Sequence, residues 1–192
     1  MNTTEAIAEV MISVKRPDKR LVILSNINKA ISMCTLRADF KRDIVEDTIA
    51  IDGNEYAQVL DLTSFTEIVR FRKFDYIRPT DRTKFLTESS ALNLYSPSGT
   101  TQKDKYILAG DNLTIVLLTL STSLEIGYYQ YAPVLTEVSG NNTHWMLNVM
   151  PYVIIDYAKS LTFSDIGDKA SADDFKDRYE EGFVAARKDQ EG

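Results

Sequence analysis

The chain carries one cysteine, Cys34, and one histidine, His144. These are the residue types of a nucleophile and its general base. Their settings argue against that chemistry. Cys34 falls on the apolar stripe of a predicted helix, where a thiolate is disfavoured, so it reads as a small core residue. His144 has no second histidine to share a metal with, and no carboxylate or cysteine cluster has ligand spacing around it. The adjacent acids Glu46/Asp47 and Asp173/Asp174 point apart rather than converge on a substrate, and Glu180/Glu181 read as a solvated helix face. "AGDN" at 109–112 is a turn between two strands and lacks the strand–loop–helix context of a phosphate loop. The expectation is a protein without catalytic residues, metal or cofactor, and not an enzyme.

Two aromatic features are richer. Arg70, Arg72 and Lys73, with Arg78 and Arg82 nearby, are interleaved with Phe71, Phe74 and Tyr76, a mixture that suits nucleic acid. The net charge of −6 over 192 residues opposes that use, because phosphate-gripping domains need a concentrated basic face. The favoured reading is a strand bearing exposed charges or meeting an acidic neighbouring subunit. The second feature is "EIGYYQYAPVLTEV" at 125–138. In a strand Ile126, Tyr128 and Gln130 face one way, and Gly127, Tyr129 and Tyr131 the other. The tyrosines are therefore split between two faces, and Pro133, without an N–H, ends the ladder.

The elements that position these residues follow from hydrophobic period. Residues 3–14 place Ile7, Val10, Met11 and Val14 on one helix face, with Thr3 or Thr4 as the cap. Pro17 and Asp18 suit the first turn of a second helix. Its stripe is Leu21, Leu24, Ile27, Ile31 and Cys34. Near Asp39 the period changes to two. "DIVEDTIAI" leads to Asp52-Gly53-Asn54, a hairpin signal, and "YAQVLDL" and "EIVRFRKFDYI" follow as strands. In the latter, Ile68, Arg70, Arg72 and Phe74 share one face and Val69, Phe71, Lys73 and Asp75 the other. Asp81 is placed to cap a short helix through Phe85, Leu86 and Ala91. The polar loop "SPSGTTQKDK" precedes strand, turn and strand in "YILAGDNLTIVLL", and "SLEIGYYQYAPVL" is the last strand.

Helical period returns after "SGNN", with Asn142 or Thr143 as cap and Met146, Val149, Met150, Val153, Ile154, Tyr157 and Leu161 on the apolar face. Pro151 either kinks this helix or begins its main part. Gly167 suits the residue after its end. Ser171 is placed to cap a last helix with Phe175, Tyr179, Phe183 and Ala186 as its stripe. The reading is α+β. N- and C-terminal helices (1–38 and 141–192) pack as a bundle, a mostly antiparallel sheet or sandwich (39–140) is inserted between them, and the whole is expected to be a single structural unit.

Composition fits a globular chain: 44% hydrophobic and 26% charged residues. A single cysteine permits no intrachain disulfide. The N-terminus lacks the pattern of a signal peptide, and no apolar run approaches the ~20 residues of a membrane span.

The ordered set of features resembles the head-to-tail adaptor (gateway, or tubular-tail-A-like) proteins of tailed bacteriophages, most closely over residues 106–189. The pieces are a strand with consecutive tyrosines, then a proline and "LT" (Tyr128, Tyr129, Pro133, Leu135, Thr136). A helix with a proline near its start and an aliphatic–alanine run follows (Pro151 to Leu161). The last is a helix of aromatic–x3–Tyr–x3–aromatic form ending in Ala-Arg (Phe175, Tyr179, Phe183, Ala186, Arg187). The resemblance implies a structural protein of the virion neck, assembled in the host cytoplasm. It would form a homo-oligomeric ring, usually of twelve copies, docked under the portal protein and offering a platform to a downstream tail or nozzle protein. Double-stranded DNA would pass through its channel without sequence-specific binding, and no membrane would be involved. The resemblance implies portal contact through the C-terminal segment, here Arg187, Lys188, Asp189 and Gln190. Subunit or tail contacts would fall on the β region, with Arg70, Arg72, Lys73, Phe74, Tyr129 and Tyr131 as candidates. The alternatives are a tyrosine-rich β-module binding glycans in an adhesion apparatus, and a head-completion or tail-completion ring at another level.

Overall fold

The computed structural model describes residues 1–90, 103–138 and 142–191, with side chains as far as Lys188 in the last helix. The chain divides into two compact units. One comprises Met1–Asp43 with Tyr131–Gly192, the other Ile44–Gln130. Helices and an antiparallel β region are thus arranged as an α+β fold, the β unit lying between the two parts of the helical unit in sequence. The expected "SPSGTTQKDK" loop falls largely outside the described residues.

The helical unit contains α1 (Thr3–Val14), α2 (Arg20–Arg37), the short α3 (Trp145–Val149), α4 (Pro151–Asp165) and α5 (Lys169–Glu191). Its core joins Ile7 and Val10 of α1, Ile23, Ile27 and Ile31 of α2, Ile154 and Ala158 of α4, and Tyr179 and Phe183 of α5. Leu21 is a correction to the predicted α2 stripe: it is exposed, and Ile23 takes the buried place. The stripe 23, 27, 30, 31, 34 keeps helical spacing without it.

Caps also differ from expectation. Asn2, not Thr3 or Thr4, caps α1, its side chain accepting from the Glu5 N–H while the Glu5 carboxylate accepts from the Asn2 N–H. Thr3 is instead buried, with its N–H and hydroxyl both donating to the Asn142 carbonyl. His144 caps α3 through Nδ1, which accepts from the Met146 N–H. Asp168 receives the Ser171 N–H and hydroxyl at the start of α5. Pro151 opens α4 after a break at Met150, where its missing N–H costs nothing. Gly167, at φ 85°, takes the left-handed position after α4.

The units divide at 43/44 and 130/131 rather than at 38/39 and 140/141. Two side chains account for this. Phe40 is buried edge-on to Trp145 and Phe183. Leu135 is buried in the helical core.

The β unit is a sandwich of two sheets. The first has the order β1 (Ile44–Ala50), β7 (Ser123–Gln130), β3 (Phe71–Pro79), all antiparallel. The second has the order β2 (Ala57–Asp61), β6 (Asn112–Val116), β5 (Lys105–Ala109), β4 (Thr87–Glu88), antiparallel except for β4 against β5. Ile49, Ile77, Leu124, Ile126 and Tyr128 from the first sheet meet Leu113, Ile115 and Tyr106 from the second in one core. The β5–β6 turn matches expectation, with Gly110 at φ 61°.

Three expectations are overturned in this unit. Asp52-Gly53-Asn54 does not close a hairpin, since β1 and β2 lie in different sheets. Gly53 does not have the positive φ that a two-residue hairpin turn demands. No helix forms over 81–90: the Leu86 N–H donates to the Ile77 carbonyl, and Thr87 and Glu88 pair with β5. Ala91 lies outside the described residues. Finally, β3 does not alternate strictly. Register shifts between Phe71 and Lys73, and between Phe74 and Tyr76, bring Phe71, Phe74 and Ile77 to the core side together.

Candidate functional site

The tyrosine strand β7 is the centre of its sheet, so its two faces meet different neighbours. Tyr128 points inward and is fully buried. Its hydroxyl donates to the Glu67 carbonyl at 3.0 Å and receives the Val69 N–H at 3.2 Å, fixing the segment that leads into β3. The ring packs beside Phe71, which in turn lies against Phe74. Tyr129 points outward yet is also buried. Its hydroxyl donates to Asp75 at 3.3 Å, and Arg72 and Lys73 lie 5.2 and 5.1 Å from its ring centre. Each such cation–ring contact contributes about 0.5–1 kcal/mol at an exposed site. Tyr131 follows the strand in the helical unit and is half exposed.

The bulges disperse the basic cluster. Arg70 sits at φ 52° and donates to Gln130. Arg78 forms two hydrogen bonds to Glu125, at 2.6 and 3.0 Å. Arg82 reaches the buried Asp104 at 3.1 Å and the Thr119 carbonyl at 2.7 Å. Asp104 also receives the Leu118 N–H, so it ties three segments of the unit. Phe74, expected on a contact surface, contributes to the core instead.

Sequence reasoning missed a second constellation on the outer face of the first sheet. Register places Glu46, Gly127 and Tyr76 in one row across β1, β7 and β3, with Glu125 and Arg78 in the next. The Tyr76 ring lies flat over Gly127: a Cβ there would meet Tyr76 Cε1 at 2.3 Å. The Tyr76 hydroxyl is 2.9 Å from Glu46 and 3.1 Å from Glu125. Burial and both carboxylates push the phenol well above its ordinary value. Arg78 holds Glu125 below the usual carboxylate range, and the Phe85 ring stands edge-on to Tyr76. A glycine in mid-strand beside two tyrosines was the available signal, since it marks a place that another side chain must cross.

In the helical unit, Cys34 is buried against Tyr179, and burial pushes its thiol up to about 12. Arg37 grips Glu180 through two bonds of 2.7 and 2.8 Å and lies over the Phe183 ring. Arg187 and Lys188 border an open groove of about 290 Å³ with Arg37, Phe183 and Val184. The side chains of Asp189 and Gln190 lie outside the described residues. Among the described residues, no group of three histidine, cysteine or acidic side chains is placed to hold a metal, and no helix is long and apolar enough to cross a membrane.

No protein-family model matches the chain, and no curated protein matches it.

Proposed function

We propose that the protein is a structural subunit of a phage virion, a head-to-tail adaptor that assembles as a ring beneath the portal and carries the next tail component. The observation that supports this reading is the apolar surface of the helical unit. Ile12, Leu21, Val134, Val138 and Tyr152 are each at least 72% exposed. The Arg20–Glu137 ion pair ties the segment that bears Val134 and Val138 to the first turn of α2, where Leu21 is exposed. Several large apolar side chains this exposed on one unit suit a surface that a partner covers. The motif residues of the resemblance also have placed roles, with Leu135, Tyr179 and Phe183 all in the helical core.

The glycan-binding alternative asks for open tyrosine rings. Tyr128 and Tyr129 are both buried, so β7 presents no aromatic platform.

The test is solution mass by light scattering, alone and after mixing with the portal protein from the same virion. The expected result is a multi-copy ring on the portal, weakened by Arg187→Glu together with Lys188→Glu. A chain that ignores the portal overturns the reading.

A further inference from the structure

The β unit is electrically divided along its sheet order. Residues 44–69 hold six acidic side chains and no lysine or arginine. Residues 70–105 hold all eight lysines and arginines of the unit, against four acids. Topology turns this sequence asymmetry into two flanks. β1 and β2 are edge strands of their respective sheets and are joined by the turn at 51–56, so they share one flank. β3 and β4 are the opposite edges and are joined by 80–86, with the Leu86 N–H on Ile77. Asp52, Glu55 and Asp61 are exposed on the first flank with no base among them, whereas on the second the exposed Arg70, Lys73, Lys84 and Lys103 outnumber the exposed Asp75, Asp81 and Glu88. Home pairings such as Lys84–Asp104, at 3.5 Å with the lysine side chain 72% exposed, leave most of that charge at the surface.

We infer that the acidic β1–β2 flank docks on the basic β3–β4 flank of a second copy of this chain. The charges fix the symmetry of the contact. A two-fold pairing sets each flank against itself, acid on acid or base on base. Only a head-to-tail contact joins unlike flanks, and such a contact repeats, closing into a ring or running on as a filament. Attraction between exposed charges steers the encounter and sets register. The inference rests on the adaptor reading only for the premise that copies stand side by side, and it says nothing of the portal.

Sedimentation of the full chain across a concentration series tests it, at about 0.01 M and about 1 M ionic strength, where the screening lengths are roughly 30 and 3 Å. Association at low salt, weakened about tenfold or more at high salt, is expected. Asp52→Lys with Glu55→Lys removes most of the acidic excess of the first flank; Lys84→Glu with Lys103→Glu turns eight bases against four acids into six against six and so cancels the basic excess of the second. Each double variant alone is expected to stay monomeric with unchanged circular dichroism, and an equimolar mixture of the two to associate. A wild-type chain that stays monomeric at low salt overturns the inference, as does association that neither variant weakens. Self-association without portal binding removes the adaptor reading alone. Portal binding by a ring indifferent to salt and to both variants removes this inference alone.

Discussion

Asn28 of α2 holds Leu135 by both of its backbone groups: the side-chain oxygen accepts the Leu135 N–H at 2.7 Å, and the side-chain amide donates to the Leu135 carbonyl at 3.0 Å. A helix has no free ladder to offer an extended strand, so one carboxamide does the work of a neighbouring strand. The Leu135 side chain can then enter the helical core. Asn28→Ala leaves both backbone groups without these partners, and the expected cost is about 1–3 kcal/mol. Asn28→Asp keeps the acceptor and loses the donor, so it should fall between the two. Urea unfolding followed by tryptophan fluorescence measures this, Trp145 being packed in the same unit.

Gly127 is required by Tyr76. Gly127→Ala drives a methyl group into the ring, and the ring cannot simply swing away while its hydroxyl is engaged with Glu46 and Glu125. Overpacking of this kind costs about 1–3 kcal/mol. In the Tyr76→Ala background the same substitution should be nearly neutral or favourable, because the space is open and glycine is a poor strand residue. A double-mutant cycle in thermal unfolding reads the coupling; additive effects would contradict the contact.

Cys34 should be chemically silent in the folded protein. Burial holds it in the thiol form far above neutral pH, its pKa being pushed up to about 12. A thiol-reactive disulfide reagent at pH 8 should label it only at the rate of unfolding, and fully in denaturant. Cys34→Ala should leave the fold intact and cost stability only by lost packing. Rapid labelling of the native chain would contradict this.

The ion pair of Arg78 and Glu125 sets a pH dependence. Hydrogen bonding from Arg78, and then from Tyr76, holds the folded carboxyl below its ordinary value. A depressed folded pKa stabilises above the unfolded value of about 4.3, and that contribution is lost as pH falls through the folded value. Glu180 behaves likewise through Arg37. Carboxyl-carbon NMR titration should place Glu125 below the ordinary range in the wild type. In Arg78→Gln it should move upward, and the loss of stability on acidification should begin at higher pH.

Much of this fold is legible in the sequence because it is periodic. The α1 stripe, the Ile27, Ile31 and Cys34 positions of α2 and the strand–turn–strand of β5 and β6 lie along elements that each bury one face. Departures lie where one residue answers to a distant one. Leu21 has the right chemistry for the α2 stripe, but it stands on the exposed side of the helix. Asp52-Gly53 has hairpin composition, but the β1 residues pair with β7, far along the chain. The bulges of β3 leave no trace in its composition, and they decide whether Phe74 faces a partner or the core. The row Glu46–Gly127–Tyr76 is visible only once three strands are in register.

The β unit is continuous in sequence, and the helical unit is not. During synthesis, residues 44–130 leave the ribosome as a complete set, so the sandwich can close while translation proceeds. α1 and α2 must wait: their buried faces are made against α4 and α5, which are translated last. Until then Ile7, Ile23, Ile27 and Ile31 are exposed on a tethered, unfinished half. The order of synthesis therefore lets the β unit close before the helical unit is complete, and in that interval the unpaired apolar faces of α1 and α2 favour aggregation.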